Sequence, residues 1–231
     1  MSLEFVVSVC SRIILLCLLL VLAGCAGQEF RLQNFAKTDI DMVADQHQHA
    51  VEALLKELTI KLYKRNPRYL KLTPGRTIEK RTSQIFDSPG QLQFSELGVS
   101  GTDAIELALN GDYTGDRVFA LMVGLTDMIR RSYGYQSEFF MFSELDEQQL
   151  YLSARNLEIA LWRLYSHRDE RGHPLILTNS RNGERHNLSY ERLFGKLIAL
   201  QDMLGTIVAG KNQRVIKTVA QNVATMAFFP L

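Results

Sequence analysis

The stretch VFALMVGL, residues 118–125, carries no polar side chain on any side. A helix that is apolar all round belongs in the interior of a protein. This segment is therefore expected at the centre of a packed core, in a helix opened by Thr114. Gly124 lies inside it and costs about 1 kcal/mol relative to alanine, so a neighbouring backbone is expected to pack against it. A buried helix needs amphipathic neighbours, and they are present on both sides in sequence. Upstream, Thr38 and Asp41 have capping-box spacing, with Asp in place of the usual Glu or Gln. Val43, Val51, Leu54, Leu58 and Leu62, with Leu55 in addition, then mark one helical face. That helix is expected to end before Pro67. A short helix is expected over 76–86, then a loop over 88–101 punctuated by Pro89, Gly90, Gly98 and Gly101. Ser100 and Asp103 are suited to cap a helix reaching Leu109, and Asn110-Gly111 to form a turn.

Downstream, Ser143 with Asp146 is read as the cap of a helix reaching His167. Its main stripe is Leu150, Ala154, Leu157, Leu161 and Leu164, with Leu152 and Ile159 on a second face. The helical period is lost over 172–189, which is either a long loop or a small β-hairpin near 174–188 turning at Asn182-Gly183. Helix returns at Tyr190 with Leu193, Leu197, Leu200, Leu204 and Ile207, and Gly210 is expected to stop it. A last helix over 212–227 carries Val215, Val219, Val223 and Met226. No period of 20–50 residues repeats. The pattern gives an all-α fold, a single compact domain of six to seven helices over 38–231.

The chain starts differently. Arg12 precedes an uncharged apolar run over 13–22, which has the length of a secretory h-region and falls short of the ~20 residues that span a bilayer. Leu22-Ala23-Gly24-Cys25 follows directly. This tetrad resembles the lipobox of bacterial lipoprotein precursors, a resemblance confined to the targeting segment. It implies a signal peptide at 1–24, cleavage before Cys25, and a covalent lipid (acyl chains such as palmitate) on the Cys25 thiol. It also implies a short tether over 25–37. The alternative, a plain membrane span over 5–27, places Arg12 inside the bilayer at a high energetic cost. Several acyl chains at ~0.8 kcal/mol per buried CH₂ make a near-permanent anchor. Ala26, where an Asp tends to retain such proteins at the inner membrane, implies the periplasmic face of a bacterial outer membrane.

Cleavage after residue 24 leaves 207 of the 231 residues, enough for one large core. A net charge of +1 gives no global drive toward nucleic acid. The three cysteines, Cys10, Cys17 and Cys25, all lie in the targeting segment, so the body carries no disulfide and no cysteine metal ligand. The tether reaches at most ~40 Å, against an expected radius of gyration of about 17 Å for the body. The body is thus expected to sit close to the membrane.

Within the body, His47 and His49 stand two apart on a helix and point to different sides, so they cannot share a metal there. His47 falls on the apolar stripe and reads as a core or edge histidine. Gly98-Val99-Ser100-Gly101-Thr102 fails the nucleophile elbow because Thr102 stands where the second glycine is required, and no phosphate-binding glycine loop occurs. No catalytic residue, metal site or cofactor is assigned. The stretch 61–81 carries Lys61, Lys64, Arg65, Arg68, Lys71, Arg76, Lys80 and Arg81 against one carboxylate, Glu79. Beside a membrane, such a run suits an anionic headgroup, the cell wall or an acidic envelope protein. His173, Arg181, Arg185 and His186 in the 172–189 segment are further candidate contacts. The aromatic runs 139–142 and 228–231 are expected to pack into the core. The sequence thus favours a non-catalytic interaction or scaffold component of the envelope. A lipid or apolar-ligand binding module is the alternative, and an envelope hydrolase is the weakest reading.

Overall fold

Helix α1 (Asp39–Arg65) opens with the expected capping box. The Thr38 hydroxyl accepts from the Asp41 N–H, while the Asp41 carboxylate accepts from the Thr38 N–H at 2.7 Å. Val51, Leu55, Leu58 and Leu62 face the core, but Val43 is exposed. Ala44 and Asp45 take the inward positions instead, and the Asp45 carboxylate accepts from the Phe139 N–H at 2.9 Å. The computed structural model describes residues 37–140, 144–178, 187–213, 216–217 and 227–231. The expected lipidation site Cys25 lies outside the described residues, as do Arg181, Arg185 and His186. Thr38–Leu231 forms one compact unit.

After α1 come a 3-10 helix (Pro67–Leu72), α2 (Ile78–Phe86), α3 (Gly101–Leu109) and α4 (Arg117–Ser132). These are followed by α5 (Glu147–Ser166) and α6 (Ser189–Asn212). Among the described residues there are thus six α-helices, one 3-10 helix and no strand, an all-α fold.

Several boundaries differ from expectation, and at the starts of α4 and α5 an aspartate carboxylate supplies the capping bond. Asp116, not Thr114, caps α4 by accepting from the Phe119 N–H at 3.0 Å. Asp146 itself caps α5, accepting from the N–H groups of Gln148 and Gln149. Ser143, expected there, lies outside the described residues. Ser100 occupies the cap position of α3, but its side chain makes no capping bond. Helix α6 runs through Gly210 and ends at Gln213, whose left-handed backbone (φ +51°) turns the chain away. Asn212 therefore belongs to α6 and does not start a last helix; most of that expected helix, 214–215 and 218–226, lies outside the described residues.

The turn Asn182-Gly183 of the hairpin considered near 174–188 lies outside the described residues, with the rest of 179–186; the segment 168–178 contains no strand. It makes one isolated antiparallel bridge, Arg168 to Pro174, around a tight turn. Asp169 closes that turn by accepting from the Arg171 and His173 N–H groups, and Gly172 (φ +77°) supplies the left-handed step.

Helix α4 is central, as its apolar sequence predicts. Every residue from Arg117 to Ile129 is buried, each large apolar side chain contributing about 1.5–3 kcal/mol. Gly124 is where α3 crosses it. A Cβ there would lie 2.6 Å from Ile105 Cγ1 and 2.7 Å from both Gly101 O and Ile105 N. Arg117 returns the contact by donating to the carbonyls of Ala108, Asn110 and Gly111, which close the C-terminus of α3. Helices α5 and α6 pack as an antiparallel pair, with Gly205 against Leu150 and Arg155 paired to Asp202 at 2.6 Å. Helix α6 is long and apolar enough to cross a membrane, yet Leu193, Phe194, Leu197 and Leu204 are buried in the protein core. Phe139 is buried, and Phe228 and Leu231 pack half-buried against the same core.

Candidate interaction surface

The C-terminal end of α1 is built around Asn66. This residue is buried, precedes Pro67 and ends the helix. Its side-chain amide donates to Leu62 O (2.9 Å) and Leu177 O (2.8 Å), and accepts from the Leu177 N–H (2.8 Å). One asparagine thereby satisfies both backbone polar groups of a residue more than a hundred positions away. Two residues on, the Arg68 guanidinium and the Tyr69 hydroxyl each donate to Leu175 O at 2.6 Å. Burial pushes the Tyr69 phenol above its ordinary range, so it stays a donor.

The 168–178 segment is thus fastened to the end of α1. The fastening brings the exposed cations Lys64, Arg68 and Lys71 to the same end as exposed Arg168, Arg171 and His173. Lys61 is half-buried, with its ammonium 5.3 Å from the centre of the Tyr190 ring, and the Tyr190 hydroxyl donates to Lys61 O. Arg65 is half-buried beside them. Among the described residues of 168–178 the carboxylates are Asp169, which sits 3.5 Å from His173 Nδ1, and Glu170.

The rest of the basic run goes elsewhere. Arg76 pairs with Glu96 at 2.7 Å. Lys80 is exposed and donates to Gly75 O. Arg81 is 2% exposed and belongs to the interior, so it is no surface contact. It grips Glu96 with both terminal nitrogens (2.5 and 2.9 Å), stacks 3.8 Å from the Phe119 ring, and lies 3.3 Å from Asp116. The Tyr63 hydroxyl donates to the same Asp116 oxygen at 2.9 Å.

Burial alone would lower the Arg81 pKa, but the Glu96 hydrogen bond and the surrounding charges raise it. Hydrogen bonding from Arg81 holds Glu96 below the usual carboxylate range. Asp116 moves up because desolvation outweighs the pull of Phe119 N–H, Arg81 and Tyr63. Pairing therefore wins at Arg81 and desolvation at Asp116. The Phe119 N–H, the Tyr63 hydroxyl and the Arg81 guanidinium all face the Asp116 carboxylate.

His47 is buried, as its place on the stripe predicts, and His49 is exposed. No group of three or more His, Cys, Asp or Glu suited to a metal occurs among the described residues.

No family model, curated protein or solved structure matches this chain.

Chemically, the end formed by α1 and 168–178 presents guanidinium and ammonium groups on a backbone fixed by four hydrogen bonds. Such groups bind carboxylates and phosphates, Arg in two-point geometry and Lys as a point charge. Sequence reasoning found the cations of α1 and His173. It did not find Arg168 and Arg171, or the asparagine that joins the two segments. The one available signal was Asn66 itself, a polar residue at the helix stop before Pro67.

Proposed function

We propose that this chain is a lipid-anchored, non-catalytic interaction component of a bacterial envelope, held by Cys25 at the periplasmic face of the outer membrane. Its helical body engages an acidic envelope partner through the basic end. The anchor rests on Leu22-Ala23-Gly24-Cys25 directly after the apolar run. The interaction reading rests on one observation. Two stretches far apart in sequence, 61–71 and 168–178, meet through paired hydrogen bonds, and each carries exposed cations.

A triple charge reversal, Lys64→Glu, Lys71→Glu and Arg171→Glu, tests this reading. These three side chains are exposed, whereas Arg68 is left intact because it holds Leu175. With a photo-crosslinker placed beside Lys64 in intact cells, the wild-type chain is expected to capture a defined set of envelope proteins. The triple variant is expected to lose that set by at least about tenfold, the size of a few lost charge contacts. The same capture should weaken as salt rises. Equal recovery of the same proteins by both chains would contradict the assignment of this end.

A further inference from the structure

Helix α5 carries a second fastening. Asn156 is fully buried on its core side, next to Leu157 and Ser153. Its amide donates to Phe229 O at 2.9 Å and accepts from the Phe229 N–H at 2.7 Å. Two turns earlier, Gln148 treats Lys217 the same way, at 3.1 and 2.9 Å. Two turns later, the Arg163 guanidinium lies 4.7 Å from the centre of the Phe228 ring while pairing with Glu106 at 2.7 Å. Positions 148, 156 and 163 recur at intervals of eight and seven, so they fall on one side of the helix. Residues 227–231 are non-helical and are held there by backbone bonds to residue 229, by ring stacking at 228, and by apolar contact of Phe228 and Leu231 with the core.

These contacts define a recognition rule. The amide reads a backbone and so accepts any side chain at 229. The guanidinium face asks for an aromatic ring one residue before it. Pro230 has no N–H to leave unpaired and favours the extended backbone that the amide requires of its predecessor. A terminal-side apolar residue then enters the core contact occupied by Leu231.

We propose that this side of α5 is a peptide-binding groove for an extended segment of the form aromatic–X–Pro–apolar. Residues 227–231 fill it in cis, and a separate peptide of the same class binds by displacing them. A tethered segment competes at an effective concentration in the millimolar range. A free peptide therefore binds well only where the cis contact is weakened.

The test uses the full chain and the probe acetyl-Ala-Phe-Phe-Pro-Leu-amide, titrated by calorimetry. Phe228→Ser weakens the cis segment and leaves the groove intact. This variant is expected to bind the peptide at least about tenfold more tightly than wild type, the size of one lost ring–guanidinium stack. Adding Arg163→Leu is expected to abolish that gain. Asn156→Leu should do so as well, but Asn156 is internal, so the Arg163 variant decides if Asn156→Leu fails to fold. No saturable binding to Phe228→Ser at millimolar peptide would overturn the proposal, as would an affinity indifferent to either substitution.

Discussion

Asn66 and Asn156 solve one problem with one group. A buried backbone segment outside any ladder must still pair its N–H and C=O, and a side-chain amide offers the matching donor and acceptor. Removing such a group leaves the segment unpaired, which costs more than the mean value of a hydrogen bond. Asn66→Ala deletes three bonds and is expected to lower stability by about 3 kcal/mol. Urea unfolding measures this, and a loss under about 0.5 kcal/mol would mean that 168–178 is held by other contacts. His47 gives a pH test. Burial lowers its pKa below the ordinary 6.5, with the Leu200 carbonyl pulling the other way. The unfolded chain then binds more protons than the native one in the window beneath that value. Stability is therefore full above about pH 6.5 and falls as pH drops through the window. His47→Gln should flatten that part of the urea-midpoint profile between pH 7.5 and 5, and an unchanged slope would contradict it. The position of His47 was legible from the apolar stripe around it. Asn156 was not, because it sits in the polar run Arg155-Asn156 beside Glu158, and its partner Phe229 lies seventy-three residues away.

The helices themselves were legible where periodicity or an all-apolar run defined them. The uniform burial of α4 and the close approach at Gly124 both follow from residues 118–125. Boundaries were harder to read, because hydroxyl and carboxylate residues cluster before α4 and α5, and only geometry selects Asp116 and Asp146 among them. The α3–α4 crossing yields a sharp expectation. Gly124→Ala forces a methyl into backbone atoms of Gly101 and Ile105, and the strain should cost about 3 kcal/mol, visible as a lowered Tm. A neutral effect would show that α3 can retreat. The Arg81 network ties α2 to the start of α4. Arg81→Met leaves Asp116 buried without its cation and is expected to cost about 3–5 kcal/mol. Adding Asp116→Asn, which still caps a helix, should recover part of that loss. No recovery would locate the role of Arg81 in its contact with Glu96 and Phe119 instead.

At the scale of the molecule, the all-α class was readable because almost every apolar stripe has helical spacing and only 172–189 breaks it. The fate of the basic run was not readable. A window of twenty-one residues shows eight cations alike, but Glu96 and Asp116, outside that window, draw Arg81 into the interior, and Glu96 also pairs with Arg76. The cations that remain exposed gain Arg168 and Arg171 only through tertiary contact. This basic end matters to an envelope partner only if the body is held beside a membrane, so the anchor is the claim on which the functional account stands. Metabolic labelling with palmitate, followed by membrane fractionation of wild type and Cys25→Ser, tests it most directly. Label in the wild-type chain, confined to the membrane fraction and lost with soluble release in Cys25→Ser, is the predicted result. A wild-type chain that takes up no label, or a Cys25→Ser chain that still fractionates with membranes, would contradict it.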